Sequence, residues 1–390
     1  MEIIILNLFY IILLITLLRR AIVHIRRTSL SQVLRSNDAA LLLLLIIIGA
    51  GPVALFSTGI VGKSPPVDGI HPKWQFIISV FMSLLISGVW MMYIRKIDIY
   101  EKERWKHVFI TFILGVLFSQ LAVFGYGLFS SFGIRLNGYP INDLLYSVGV
   151  IGGLEEAVKI IPFLLLLKYS KAADEPYDFI LYPSVSALGF AFAENIMYIN
   201  NSGLINIGGR ALYSTVAHMV FSSVVGYGML LYRFRFPKRT RWVGFFTFFA
   251  IAAIMHGFYD FWLINYFVSS YSFLTTVFFL ITIHIWFILK NNAVNISNYY
   301  DPRLTLDNDM LKWYLVLSLS SILMIGYIIV SLVYGVESGN RYLLTSWIAY
   351  GYMVLYLTLS FSRYKIKHGR LSQIKVPFDF FIPKPLKKNT

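Results

Sequence analysis

The chain consists mainly of long apolar segments separated by short polar stretches. A helix that crosses a bilayer needs about 20 apolar residues. Segments approaching that length lie at 3–18, 39–61, 74–94, 107–131, 141–167, 178–199, 210–232, 242–264, 267–289, 313–335 and 343–362. The pattern therefore predicts an all-α polytopic membrane protein with about 11 transmembrane helices.

Composition supports this fold class and limits the chemistry. Hydrophobic residues make up 57% of the 390 residues and charged residues 14%, whereas a soluble domain carries about 25% charged residues. The chain has no Cys, which excludes disulfides, thiolate metal sites and a cysteine nucleophile. Any catalysis must use carboxylates, histidines or hydroxyls.

The net charge of +15 reports topology. Alternate loops together with the C-terminal tail contain 28 of the 34 Lys and Arg residues, and the opposite loops contain five. Because basic loops are retained in the cytoplasm, we expect a multi-pass plasma membrane protein with its N-terminus outside and its C-terminus in the cytoplasm. The basic loops fit anionic lipid at the cytoplasmic face as a partner, and we expect no nucleic acid.

The remaining basic residue, Lys159, lies inside the fifth span. Intramembrane ionisable groups are costly and mark functional sites. Others lie on spans five to eight, and the full set of charged and polar candidates is Glu155, Glu156, Lys159, Glu194, Asn195, His218, His256 and Asp260. Residues four apart share a helix face, so we expect a four-helix core whose polar groups converge in the outer half of the bilayer.

These groups bring four carboxylates against one ammonium. That excess of negative charge in a low-dielectric site requires bound protons or a divalent cation. Any one of these residues alone fits a structural ion pair or a packing role. Together they favour a catalytic centre. The alternatives are a proton- or cation-coupled transporter using the same cluster, and an idle scaffold that retains it.

Four motifs resemble the PrsW family of intramembrane proteases. They are the EExxK string from Glu155 to Lys159, the FxxxEN string from Phe190 to Asn195, the isolated His218, and the HxxxD string from His256 to Asp260. The resemblance covers about residues 75–290. It implies hydrolysis of a membrane-anchored protein, in bacteria typically the first, outer-side cut of an anti-sigma factor.

Roles for these residues follow from the needs of amide hydrolysis, which are a water, a base and a group that stabilises the oxyanion. We expect Glu155 to be the general base beside Lys159, with Glu156 assisting. His218 and His256 would hold the water or stabilise the oxyanion, Asp260 would orient His256, and Asn195 would donate a hydrogen bond.

A metal version uses the same residues. His218, His256 and either Glu155 or Glu194 would bind a divalent metal such as zinc and leave a position open for water. Without a metal, the enzyme would be a glutamic protease that needs no cofactor. The sequence leaves both versions open.

The domain organisation expected from these features places the protease core between two extensions. The predicted parts are a two-span extension at 1–73, the core at 74–290, a cytoplasmic linker at 291–312, a two-span appendage at 313–362 and a basic tail at 363–390.

The loop charges predict the response of a C-terminal reporter. Alkaline phosphatase, which is active only outside the cytoplasm, should be inactive when it is fused after Thr390, and a cytoplasmic fluorescent reporter should be active there. Phosphatase activity from that fusion would reverse the orientation and the expected side of the site.

Overall fold

The computed structural model describes residues 72–234, 241–362 and 366–371. Within these ranges the long elements are α1 Pro72–Lys96, α2 Trp105–Ser131, α3 Pro140–Tyr146, α4 Gly153–Tyr169, α5 Asp178–Ser202, α6 Thr215–Phe234, α7 Arg241–Ile264, α8 Phe273–Asn295, α9 Asn308–Tyr334 and α10 Val336–Phe361. The predicted spans at 3–18 and 39–61, and most of the basic tail, lie outside the described residues.

The all-α prediction is confirmed, since the described residues are helical without a strand. Eight of their helices are long and apolar enough to cross a membrane. The fifth predicted span is helical along its length but is divided into α3, a π-helical stretch Ser147–Gly152 and α4. The total of eleven spans stays a prediction.

Sequence features explain how the divided span is built. Pro140 occupies the first turn of α3, where its missing N–H costs nothing. Pro162 lies inside α4, where it removes a backbone hydrogen bond and favours a kink. The π-helical stretch between α3 and α4 leads directly into the helix that carries Glu155, Glu156 and Lys159. π-Bulges of this kind are frequent at functional sites.

Residue contacts divide the chain into two compact units. The described part of the first contains the start of α1, residues 196–212, α9 and α10; the second contains residues 83–195, the described part of 213–308, and 366–371. In the first unit, a side chain on Gly208 would collide with the Tyr350 ring. All the candidate site residues belong to the second unit. The predicted domain boundaries stay predictions.

The predicted cytoplasmic linker is partly helical. α8 continues to Asn295 and α9 begins at Asn308. Lys290, which the sequence placed among the loop charges, is fully buried within α8 and lies over the ring of Trp286, with the ammonium 5.4 Å from its centroid. Its long apolar stem makes this burial feasible.

Glycines let the helices of the second unit approach closely. A side chain on Gly189 of α5 would collide with the carbonyl of Phe112 on α2, and one on Gly226 of α6 with the carbonyl of Phe179 on α5. Small residues at such crossings allow backbone contact between membrane helices. The outward surfaces carry large apolar side chains, including Leu117, 62% exposed, which suits contact with lipid.

The crossing of the π-helical stretch with α7 brings two halves of the site together. A side chain on Gly152 would collide with the carbonyl of Ala253, and one on Gly257 with Ser147. Glu155 and His256 lie within one turn of these glycines. The helices that carry Glu155 and His256 can therefore approach this closely only because Gly152 and Gly257 have no Cβ.

Replacing Gly152 tests this contact. We expect Gly152→Ala to force α7 away and to destabilise the fold by about 1 to 3 kcal/mol, the usual cost of overpacking. Thermal unfolding of the purified protein in detergent measures the effect. Gly149→Ala is the matched control in the same stretch, because nothing lies within 4 Å of the added Cβ. Equal stability of the two variants would contradict the close contact.

Candidate active site

Lys159 lies at the centre of the intramembrane cluster. It is fully buried, and its Nζ lies 3.0 Å from Glu155 Oε2 and 3.0 Å from Glu156 Oε1. The same ammonium is 2.7 Å from His218 Nδ1 and 4.4 Å from the centroid of the Phe190 ring. One cation therefore contacts groups from α4, α5 and α6, and it compensates part of the buried negative charge.

Glu155 contacts groups from α2, α6 and α7 as well as Lys159. The Tyr126 hydroxyl donates a 2.5 Å hydrogen bond to Oε1. Oε2 lies 3.5 Å from His256 Nε2 and 3.9 Å from His218 Nδ1. One carboxylate oxygen is thus fixed by a phenol, while the other faces the two imidazoles and the ammonium. This is a suitable environment for a carboxylate that exchanges a proton with a bound water.

Glu156 makes a different set of contacts, although it is the next residue. It is fully buried. Its Oε2 accepts a 2.6 Å hydrogen bond from Ser222 on α6, and its Oε1 lies 2.9 Å from His256 Nδ1. Because both oxygens have close partners, Glu156 links α4 to α6 and α7.

His218 links Lys159 to Glu194. Lysine is only a donor, so the 2.7 Å contact assigns a lone pair to Nδ1 and the ring proton to Nε2. That Nε2 lies 2.8 Å from Glu194 Oε2, which accepts the proton's hydrogen bond. His218 is therefore neutral in this arrangement and presents its Nδ1 lone pair toward the centre of the cluster.

Both nitrogens of His256 face carboxylates. Nδ1 contacts Glu156, as given above, and Nε2 lies 3.3 Å from Asp260 Oδ2. The expected orienting contact between Asp260 and His256 is therefore present in the geometry. The two imidazoles lie edge to face, with ring centroids 5.1 Å apart.

Seven of the eight predicted site residues meet in this cluster. The side chains of Glu194 and Asp260 are 19% and 22% exposed, which makes them its most accessible members. The eighth residue, Asn195, is fully buried and donates a 3.0 Å hydrogen bond to Thr215 Oγ1, linking α5 to the start of α6.

Two contacting residues were missed by sequence reasoning. Tyr126 lies on α2, outside the four helices expected to form the core, and Ser222 lies one turn after His218 on α6. Tyr and Ser are common in membrane helices and carry no charge signal. The HxxxS spacing from His218 to Ser222 was the one available indication that this serine shares the site's face.

Three residues of the cluster have side chains that could bind a metal ion. Glu155, His218 and His256 each present a ligand atom, and these three atoms all lie within 4.8 Å of one another. Two imidazoles and one carboxylate form a typical set for a catalytic zinc, so the residues fit. Lys159 Nζ lies 3.0 Å from Glu155 Oε2, 2.7 Å from His218 Nδ1 and 3.5 Å from His256 Nδ1, so a metal ion held by these residues would compete with the ammonium.

Taken together, the geometry defines a polytopic membrane protein with a buried Glu, Lys and His centre suited to hydrolysis. Comparison with known proteins agrees. Residues 103–287 match the profile of the PrsW family intramembrane metalloproteases. No solved structure matches the chain.

The most similar relatives include two bacterial enzymes named Protease PrsW. The one from Clostridioides difficile is 31% identical over 194 residues, which are 48% of this chain and 79% of the relative. The one from Geobacillus kaustophilus is 30% identical over 187 residues, which are 47% of this chain and 80% of the relative. The chain belongs to the PrsW family of intramembrane proteases, and it is a membrane peptidase with a protein substrate.

Removing the central cation should destabilise the protein. Lys159→Met leaves Glu155 and Glu156 buried without their ammonium, and breaking a buried ion pair in this way costs about 3 to 5 kcal/mol. Thermal unfolding in detergent should show the loss. Adding Glu156→Gln to Lys159→Met should restore part of it, because one uncompensated charge is removed.

The matched control is Lys312→Met, which removes an ammonium paired at 2.8 Å with Asp309, whose side chain is 71% exposed. Exposed pairs contribute about 1 kcal/mol or less. A Lys159 variant as stable as this control would show that the buried carboxylates do not need the ammonium.

Proposed function

We propose that Glu155 activates the water that hydrolyses the substrate's peptide bond. The observation that carries this proposal is the asymmetric environment of its carboxylate, with Oε1 fixed by Tyr126 and Oε2 directed at both histidines and Lys159. A general base needs a defined orientation and nearby groups that accommodate the proton it accepts.

The surrounding residues divide the other tasks. Lys159 is the positive group nearest Glu155, and it would stabilise the oxyanion that forms at the scissile carbonyl. Glu156 and Ser222 hold Lys159 and His256 in place. Glu194 orients His218 through Nε2, and Asp260 orients His256. Tyr126 is a positioning residue for Glu155, and Asn195 supports the junction of α5 and α6.

Zinc is the cofactor that the donor set would hold, through Glu155, His218 and His256. Glu194 is an alternative ligand, but its contact with His218 Nε2 favours an orienting role. Zinc, when bound, supplies Lewis acidity toward water and the peptide carbonyl. The roles of Tyr126, Glu156 and Asp260 as positioning groups are the same with or without it.

The proposed substrate is a membrane-anchored protein cut in the outer half of the bilayer. The loop charges support this side, because they direct the N-terminus outside and leave Glu194, His218 and His256 between the bilayer middle and the outer interface. The first cut of an anti-sigma-factor-like regulator fits such a site. The family assignment favours this function over a transporter.

Glu155→Gln should abolish most of the cleavage. Glutamine keeps the shape of the side chain but cannot accept a proton, and loss of a general base lowers the rate by about 10²- to 10⁴-fold. The full-length protein is reconstituted in liposomes with single-span membrane proteins, and fragments are identified by mass spectrometry. The variant should remain folded, with an unfolding temperature close to that of the unaltered protein.

The control for this experiment is Glu337→Gln, because Glu337 is an exposed residue whose side chain pairs with Arg341 on α10. It should cleave normally. A second arm adds a strong chelator and then zinc. Cleavage that is lost with the chelator and recovered with zinc would support zinc bound by Glu155, His218 and His256. Cleavage that resists the chelator would support a metal-free mechanism in which Glu155 activates the water. Cleavage that persists in Glu155→Gln, His218→Ala and His256→Ala would exclude this site.

A further inference from the structure

A second cluster of carboxylates lies where three loops of the same unit meet. The α1–α2 loop contributes Asp98, Glu101 and Glu103, the α4–α5 loop contributes Glu175, and Asp178 begins α5. Asp98, Glu103, Glu175 and Asp178 are between 0% and 4% exposed. Glu101 is half-buried and offers access from solvent. The α8–α9 loop joins them, because Ser297 Oγ donates a hydrogen bond to Glu175.

Each buried carboxylate uses one oxygen for local contacts. Asp98 Oδ2 accepts a 2.9 Å hydrogen bond from the Glu103 N–H. Asp178 Oδ2 accepts hydrogen bonds of 3.0 and 2.7 Å from the N–H groups of Asp174 and Glu175. Glu175 Oε1 accepts the bond from Ser297, and Glu103 Oε2 lies 3.8 Å from His107 Nδ1.

The other oxygen of each carboxylate makes no well-aligned hydrogen bond among the described residues, although Glu103 lies beside Asp178. These atoms are Asp98 Oδ1, Glu103 Oε1, Glu175 Oε2 and Asp178 Oδ1. Within the same part of the chain, no Lys or Arg forms an ion pair with any of the five acids. Several buried carboxylates this close together require either bound protons or a compensating cation.

An uncharged side chain, that of Tyr182, also indicates a ligand at this carboxylate cluster. Tyr182 lies one turn after Asp178 on α5 and is fully buried. Its hydroxyl lies beside the Glu103 carboxylate and near the charges of Asp178 and Asp98, yet it makes no well-aligned hydrogen bond within the described residues. A buried phenol that is poorly aligned with its neighbour, among carboxylates whose second oxygens are also poorly satisfied, indicates a ligand at this position.

We propose that this cluster, the loop acid site, binds a hard divalent cation, Mg²⁺ or Ca²⁺, through Glu101, Glu103 and Asp178. One oxygen from each of these residues lies within 4.8 Å of the other two. Oxygens on opposite sides of such a cation are about 4 to 5 Å apart. Carboxylates without nitrogen or sulfur ligands select hard cations over zinc. Asp98 and Glu175 supply further negative charge.

The loop acid site is separate from the candidate active site. Asp178 and Glu194 both lie on α5, sixteen residues apart in the sequence, which corresponds to about 24 Å along a helix. A cation at the loop acid site would connect the ends of α1, α2, α4 and α5 and fix the start of the helix that carries Glu194. The loops are those that the sequence predicts to be cytoplasmic.

Proton binding is the competing explanation. Burial raises the pKa of Asp98 to about 8 and that of Glu175 to about 7. Without a cation, these raised pKa values predict that stability is highest below about pH 4, the ordinary value for such groups, and decreases as the pH rises toward 8. A bound cation would remove most of that decrease, since it compensates the ionised carboxylates. The two explanations therefore differ above pH 7.

The experiment uses the full-length protein in detergent, stripped with a chelator and held at pH 7.5. Mg²⁺ and Ca²⁺ are added separately, and the unfolding temperature is recorded against concentration. Terbium luminescence excited through tyrosine is a second readout, because Tyr100 and Tyr182 lie beside the site. We expect a saturable rise in unfolding temperature, and terbium luminescence that the added cation displaces.

Single substitutions show which residues bind the added cation. Glu101→Gln changes a half-buried ligand, so it should fold, and we expect it to weaken cation binding by at least about tenfold as one charged ligand is lost. Asp301→Asn is the control, an acid in the α8–α9 loop that already pairs at 2.8 Å with Arg303; it should keep the response. Glu155→Gln should keep it too.

Three results would overturn the proposal. The first is the absence of a saturable response to either cation. The second is an equal response in Glu101→Gln and the unaltered protein. The third is a response lost in Glu155→Gln and kept in Glu101→Gln, which would assign it to the active site. None of these results depends on proteolysis, so the proposed catalytic role of Glu155 is tested separately.

Discussion

The candidate active site depends on the burial of one ammonium among carboxylates. Lys159 contacts Glu155, Glu156 and His218 within 3.0 Å, in a region where an isolated charge would be very costly. Its position compensates two glutamates that follow one another in the sequence yet point to different partners. The tautomer of His218 follows from where this cation lies, and so does the direction that Glu155 Oε2 faces.

The same arrangement explains how one site can suit either a metal or a metal-free mechanism. The three residues that could bind zinc also contact the ammonium of Lys159. A metal ion bound by these donors would compete with the lysine for them. With or without a metal ion, Glu156 would link α4 to α6 and α7, because Ser222 and His256 contact its two oxygens.

Glycine contacts make this geometry possible. The crossing of Gly152 with α7 brings Glu155 close to His256, and the crossing of Gly189 with α2 brings α5 beside the helix that carries Tyr126.

The two acidic clusters of this unit differ in how their buried negative charge is compensated. The intramembrane cluster contains its own cation, whereas the loop acid site has none among the described side chains, which is the basis for inferring a bound one.

The length of the apolar segments predicted the long helices of the described residues from the sequence alone, because apolar segments of bilayer length have few other stable structures. The cost of intramembrane charge marked Glu155, Lys159, His218 and His256 as candidates in the same way, and the structure brings them into contact. Tertiary structure decided what their partners are. Tyr126 was not predictable, since a tyrosine on an apolar helix becomes significant only when another helix presents a carboxylate to its hydroxyl. The loop acid site was likewise invisible, because acids in hydrophilic loops look solvated until folding buries them against one another.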